Sequence, residues 1–288
     1  MSDFTIITDS ACDLPQDLLD EIGVKCISMT FTFSDSDRVY MDNEIPLKEF
    51  YNSMRGGAVA KTAAINTERF REAFEPELKE GRDVLYLGFS SGLSTTYNCS
   101  KIAAEELLES YPQRKIITVD TLAASGGFGL LVYLTAKQRG NGADIEAAAK
   151  YARDKLQNIC HWFTVDDLVY LKRGGRISPT AAFVGGLLGI KPVLHTDNEG
   201  HLVNVSKARG RRASITALAD RYSETAIDPS KGTVFICQAD CMADAEFLAG
   251  LLKRRHRLRK VRIMNIGSVI GAHSGPGTLA LFFEGKER

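Results

Sequence analysis

Val84-Leu85-Tyr86-Leu87-Gly88-Phe89-Ser90-Ser91-Gly92-Leu93-Ser94-Thr95-Thr96-Tyr97 decides the fold class of this chain. It begins as an unbroken apolar run, passes through a serine and glycine turn, and leads into the helical pattern Ser100 to Leu108. A short run that is apolar at consecutive positions fits a strand buried on both faces, as in a parallel sheet covered by helices.

The same alternation extends outward. Phe4 to Thr8, Val24 to Phe33 and Ile116 to Val119 read as further strands. Helical patterns lie between them, at Glu68 to Leu78, with Phe70, Phe74 and Leu78 on one face, and at Ser125 to Lys137. After about residue 160 the order changes. Asp144 to Leu156 is helical, Cys160 to Val165 is strand-like, and Leu168 to Leu171 leads into the basic turn Lys172-Arg173-Gly174-Gly175-Arg176. Pro179 opens an apolar, glycine-bearing segment through Leu188. Val193 to Thr196 and Leu202 to Ser206 flank Asp197-Asn198-Glu199-Gly200, a hairpin signal. Helices at Arg211 to Tyr222 and Ala243 to Arg255 alternate with strands at Thr233 to Cys237 and Val261 to Ile266. A loop at Ile270 to Gly277 and a strand at Thr278 to Phe283 close the pattern. The expectation is α/β with two closely packed domains. Residues 1–160 form a mostly parallel sheet flanked by helices, and residues 161–288 an α+β domain with a mixed or antiparallel sheet.

Composition narrows the function. The 288 residues are 44% hydrophobic and 25% charged, which suits globular structure over disorder. Thirty-six basic residues balance thirty-six acidic ones, which argues against a dedicated nucleic-acid binder. Cys12, Cys26, Cys99, Cys160, Cys237 and Cys241 are scattered without a CxxC pair and read as free thiols in a reducing cytosol. A structural zinc at Cys237 and Cys241 is the alternative. Met1 to Ser10 reads as a first strand instead of a signal peptide, and no uncharged run reaches the length of a membrane span. Together these features predict a cytoplasmic protein.

Four constellations carry chemistry. The loop from Gly88 to Tyr97 follows a strand and opens a helix, so it sits at the carboxyl end of the sheet, where ligands bind. Unpaired backbone N–H groups and the hydroxyls of Ser94, Thr95 and Thr96 suit an anion, phosphate or carboxylate. The same hydroxyls equally suit a plain helix cap. The loop lacks a Walker lysine and dinucleotide glycine spacing, which disfavours ATP and NAD. Thr8-Asp9-Ser10-Ala11-Cys12-Asp13 also joins a strand to a helix, with Asp13 as the cap candidate; its acidic residues would repel an anion. Gly271-Ala272-His273-Ser274-Gly275-Pro276-Gly277 reads as an inter-strand loop whose glycines allow close approach to a ligand and whose His273 can donate to an anion. His161, His195, His201 and His256 have no comparable setting. Lys172, Arg173 and Arg176, then Lys207, Arg209, Arg211 and Arg212, form basic groups beside glycines, suited to an acidic or phosphorylated partner or to anionic lipid. The cations from Arg254 to Lys260 read as a solvated helix end.

Taken in order, Thr8-Asp9-Ser10 with Asp13-Leu14-Pro15, Ser90-Ser91-Gly92-Leu93-Ser94, Tyr170-Leu171-Lys172-Arg173-Gly174-Gly175-Arg176-Ile177 and Ala272-His273-Ser274-Gly275-Pro276-Gly277-Thr278 resemble the DegV family, the fatty-acid-binding subunits of bacterial fatty-acid kinase. The resemblance runs from end to end. It implies that a long-chain fatty acid is the ligand, with its tail buried between or within the domains. It implies Thr62, Ser94, the Thr95 backbone N–H and His273 as the carboxylate site, and no metal or cofactor. It implies an ATP-dependent kinase subunit as partner, meeting the basic residues Arg173, Arg176 and Arg209. That partner makes an acyl-phosphate that feeds phospholipid synthesis, so the chain itself is a carrier and not an enzyme. Two departures from the family pattern bear on the pocket mouth. Ala63-Ala64-Ile65 stands where the family has Ser-Gln-Pro, and Thr95 where it has glycine.

An apolar tail offers at most ~0.8 kcal/mol per methylene, which makes it the main source of affinity, while the hydroxyls set orientation. Phe163, Phe183, Val184, Leu187, Leu188, Ile190, Phe282 and Phe283 are the lining candidates. The competing readings are an enzyme acting on a small acid or phosphorylated metabolite through Ser94 or His273, and a lipid-sensing regulatory module that binds another protein through its basic rim.

Overall fold

The structure, a computed structural model, describes residues 4–178 and 189–288. Strand β1 (Phe4–Asp9) is buried along its whole length, including its polar residues Thr5, Thr8 and Asp9. After α1 (Gln16–Glu21) come β2 (Val24–Ile27), β3 (Thr30–Phe33), β4 (Val39–Met41), α2 (Leu47–Arg55), β5 (Ala60–Ala63), α3 (Thr67–Lys79), β6 (Asp83–Gly88), α4 (Thr96–Ser110) and β7 (Ile116–Asp120). Strands β2-β1-β6-β7 form a parallel sheet with Ile6 opposite Leu85. On α3, Phe70, Phe74 and Leu78 all face the core.

Next come α5 (Ser125–Gly140), α6 (Ile145–Lys155), β8 (Ile159–Thr164), α7 (Val169–Arg173), β9 (Ile190–Thr196), β10 (Leu202–Arg209), α8 (Arg211–Thr225) and β11 (Val234–Gln238). The chain continues through α9 (Met242–His256), β12 (Val261–Asn265), α10 (Ser268–Ser274) and β13 (Leu279–Glu284). A six-stranded mixed sheet runs β10-β9-β8-β13-β11-β12, parallel only between β11 and β12. The fold is mixed α/β, with a parallel and a mixed sheet.

Three local expectations are corrected. Val24 to Phe33 is not one strand. Met29 donates its backbone N–H to Ser10 Oγ at 3.0 Å, which ends the parallel ladder at Ile27. The chain then enters a three-stranded antiparallel sheet, β4-β3-β5. Ile270 to Gly277 is not a loop for most of its length, because its first half is the end of α10. The helix is held at its start from afar. Asp13 Oδ1 accepts from Gly267 N–H at 2.8 Å and Asp42 Oδ1 from Val269 N–H at 3.2 Å. Asp13 therefore does not cap α1, whose start at Pro15 has no side-chain cap.

Helix α5 lies between the two sheets because its first turns carry no side chains where they meet the mixed sheet. A Cβ on Gly126 would come within 2.5 Å of Cys237 Sγ, and one on Gly127 within 2.2 Å of His161 Nε2. On the other side, a Cβ on Gly129 would lie 2.5 Å from the Cys12 carbonyl. Core packing is continuous from Ile6 and Leu85 through Phe128 to Phe163 and Phe282. A second cluster under α8 and α9 includes Trp162, Tyr222, Leu248 and Phe283. No helix among the described residues is long and apolar enough to cross a membrane.

Candidate functional site

At the carboxyl end of β6 the chain turns into α4, and a cavity of about 390 Å³ opens beside this turn. That volume falls within the range of small-molecule pockets. The turn is built rigidly from three directions. Buried Asp9 accepts the Phe89 N–H at 3.1 Å and the Tyr86 hydroxyl at 2.6 Å. Ser90 Oγ donates to the Gly200 carbonyl at 3.0 Å, tying the turn to the β9–β10 hairpin. Gly200 takes a positive φ of 82°, and a Cβ there would fall 2.2 Å from Ser90 Oγ, so this contact requires glycine. Asp120 Oδ1 accepts the Ser91 N–H at 3.1 Å.

Thr62, Ser94, Thr95 and His273 all line this one cavity. Thr62, from β5, lies 2.8 Å through its Oγ1 from His273 Nε2 on α10. Ser94 Oγ accepts the Thr96 N–H at 3.2 Å and sits 2.9 Å from Thr96 Oγ1. Thr96 Oγ1 in turn accepts the Ile65 N–H at 3.3 Å, joining the segment after Thr62 to the start of α4. Ser94 thus both bonds the start of α4 and lines the cavity, and the two readings of this loop do not exclude each other.

Arg176 also lines the cavity. It is half-buried, donates Nε–H to the Leu93 carbonyl at 3.1 Å and donates from Nη1 to the Gly174 carbonyl. These two carbonyls hold its guanidinium at the cavity wall. Arg173 and Arg209 are exposed. Arg211 is committed internally, to Asp244 at 2.8 Å and the Gly277 carbonyl at 2.6 Å.

Phe163 and Phe282 line the cavity. Phe283 does not; the strand period turns it to the other face, against Tyr222. Ile190 is half-buried in β9 outside the cavity wall. Phe183, Val184, Leu187 and Leu188 lie outside the described residues, as does the rest of the Pro179 to Leu188 segment. Met29, His161, Ser125, Thr196 and Ser274 are wall residues that sequence reasoning missed. His161 had a signal: strand alternation places it on the same face as Phe163. Among the described residues, no group of three or more histidine, cysteine or acidic side chains is arranged to hold a metal ion.

Burial sets the charge states here. It pushes the Asp9 carboxyl up to about 6, against the hydrogen bonds from Tyr86, Phe89 and Ala11. It pulls His273 down to about 4, with Arg176 adding to the effect, so His273 is neutral at pH 7. The linkage sign follows. The unfolded chain protonates this histidine near its ordinary 6.5 and the fold resists until about 4. The stability it supports is complete above pH 6.5 and is lost as pH falls toward 4. Replacing His273→Gln should therefore lessen the loss of stability between pH 7 and pH 4.5 by about 2–3 kcal/mol. Urea denaturation of both proteins at the two pH values checks it. Asp9 acts in the opposite sense over part of that window but is common to both proteins.

The DegV family model matches residues 3–286. A DegV domain-containing protein of Clostridium perfringens, CPE0026, is 43% identical over 100% of this chain and 99% of its own. Among solved structures, a DegV lipid-binding protein from Thermotoga maritima superposes with a TM-score of 0.87 at 31% identity, covering 100% of both chains. A fatty-acid-binding DegV family protein from Thermus thermophilus gives a TM-score of 0.88 at 30% identity, over 98% of this chain and 99% of that one. The matched range includes the turn after β6, the Thr62 strand and α10, and the chain belongs to the DegV family.

Proposed function

We propose that this protein binds a long-chain fatty acid in the cavity and presents its carboxylate to an ATP-dependent fatty-acid kinase subunit. The observation that carries this reading is the convergence of Thr62, Ser94, Thr95 and His273 on one cavity whose wall also includes Phe89, Leu93, Phe163 and Phe282. Hydroxyls and backbone N–H groups suit a carboxylate, and a neutral His273 donates to it without a competing charge. Half-buried Arg176 adds a cation at the same wall. The apolar remainder holds the tail at up to ~0.8 kcal/mol per methylene.

On this reading residues 1–160 supply the carboxylate loop and residues 161–288 complete the acyl pocket. The chain is a cytoplasmic carrier without ATP chemistry of its own. The kinase forms the acyl-phosphate that enters phospholipid synthesis, and transient contact with a membrane surface serves loading. The alternative, a hydrolase-like pair of Ser94 and His273, has less support. A nucleophile and its base must share a hydrogen bond. Here the side chains of Ser94 and His273 bond to Thr96 and Thr62 respectively.

Native mass spectrometry of the purified protein tests the reading. A retained mass equal to a long-chain fatty acid is the expected result. No retained acid, together with turnover of a soluble acid in the absence of any partner, sinks it. The exposed cations are tested separately. Arg173→Ala and Arg209→Ala are expected to slow kinase-dependent acyl-phosphate formation about tenfold while fatty-acid affinity stays within about twofold. Equal loss of both would make these arginines part of the pocket instead.

A further inference from the structure

The basic turn after α7 carries two glycines, each required for a different reason. Gly175 takes a positive φ of 69°, and a Cβ there would meet nothing within 4 Å, so backbone conformation is its requirement. Gly174 takes a φ of −71° and a ψ of −10°, which any residue adopts. Space is its requirement: a Cβ there would fall 2.3 Å from His273 Nδ1. The His273 ring therefore rests on the bare Cα of Gly174. Turn and helix are locked around this contact, because Tyr170 packs on Gly275 in the same way, 2.3 Å from where a Cβ would stand.

The direction of the missing Cβ is that of a Cα hydrogen, so Gly174 turns a C–H toward Nδ1. Nδ1 is buried with no hydrogen-bond partner among the described residues. A proton on Nδ1 would face that C–H without an acceptor, whereas a lone pair makes a weak C–H contact with it. The neutral ring therefore carries its proton on Nε2, which lies 2.8 Å from Thr62 Oγ1 and donates to it. A hydroxyl that accepts from a histidine turns its own proton elsewhere, here toward the cavity that Thr62 lines. The Gly174 carbonyl also accepts from Arg176 Nη1, so one residue braces both the histidine and the cation of this wall.

Resting on the fatty-acid reading above, we propose that Gly174 is a positioning residue of the carboxylate site: by seating the His273 ring it fixes the proton on Nε2 and commits the Thr62 hydroxyl as a donor to the ligand. Gly174 touches no ligand itself. The proton that His273 contributes to the head group reaches it through Thr62.

Two measurements on the full-length protein test this. Nitrogen-15 spectra of the histidine rings at pH 7, taken without ligand, show which ring nitrogen holds the proton. The expected result for His273 is a single fixed form with the proton on Nε2, replaced in Gly174→Ala by the averaged signals of a loosened ring. A proton on Nδ1 in the wild type, or averaged signals there, overturns the inference. Displacement of a fluorescent fatty acid by stearic acid reads the consequence. Gly174→Ala should bind about tenfold more weakly than the wild type, the loss of about one hydrogen bond to a charged group. In a His273→Ala background the same change should cost less than about twofold, because the added carbon has no ring to strike. An equal loss in both backgrounds overturns the inference and leaves the fatty-acid reading standing. Gly175→Asn, whose side chain tolerates a positive φ, should stay within about twofold of the wild type. A loss there as large as that of Gly174→Ala would assign the effect to the shape of the turn and also overturn the inference. A wild type that binds no long-chain acid removes the fatty-acid reading, and this inference with it. Should Gly174→Ala fail to fold, the ring spectra of the wild type decide the question.

Discussion

Ser94→Ala is expected to bind long-chain fatty acids about 10- to 100-fold more weakly than the wild type. A hydrogen bond to a charged group is worth about 1.5–3 kcal/mol, and each 1.4 kcal/mol is tenfold in affinity. The variant also loses the bonds that Ser94 Oγ makes with Thr96 at the start of α4. A lost cap costs typically about 1 kcal/mol, so the melting temperature should fall by only a few degrees. The two losses separate in experiment: ligand displacement reads the first, and thermal denaturation of delipidated protein reads the second. A melting shift with unchanged affinity would reduce Ser94 to a cap.

Gly127→Ala is expected to be strongly destabilising. The added carbon would fall 2.2 Å from His161 Nε2 and 2.8 Å from the Phe282 ring. Both rings are buried on strands of the mixed sheet against which α5 packs. The loss should be about 3 kcal/mol or more, at the upper end of overpacking. Gly140→Ala, at the other end of the same helix, meets nothing within 4 Å and should be neutral or stabilising by up to about 1 kcal/mol. Urea denaturation midpoints of the two variants make the comparison. Equal stability would mean that α5 sits less tightly on the sheet than described.

The parallel sheet was legible because its strands are apolar at consecutive residues and its helices carry a 3.6-residue period, as at Phe70, Phe74 and Leu78. The β9–β10 hairpin was legible from Asp197 to Gly200, since turn chemistry is local. The break at Ser28-Met29 was not, because Ser10, eighteen residues before Ser28, takes the Met29 N–H. Helix α10 was hidden for the same reason: its first N–H groups are met by Asp13 and Asp42, not by neighbours in sequence. At the candidate site, Ser94, Thr95 and His273 were legible as loop residues suited to an anion, Thr62 came from the family resemblance alone, and only the resemblance paired them. That Arg176 lines the cavity was not legible, because nothing in a Gly-Gly basic turn says which way a guanidinium points. His161 carried a readable alternation with Phe163, but a lone histidine on an apolar strand gives no sign that its second nitrogen stays unpartnered.

The reach of those two aspartates has a bearing on synthesis. Asp13 and Asp42 leave the ribosome early, while the amides they hold, on Gly267 and Val269, come 254 and 227 residues later. Domains generally form in order of emergence, but the helix bearing His273 is seated only when nearly the whole chain is out. On the proposed reading, a nascent chain stalled before α10 has emerged therefore lacks the His273 side of the carboxylate site.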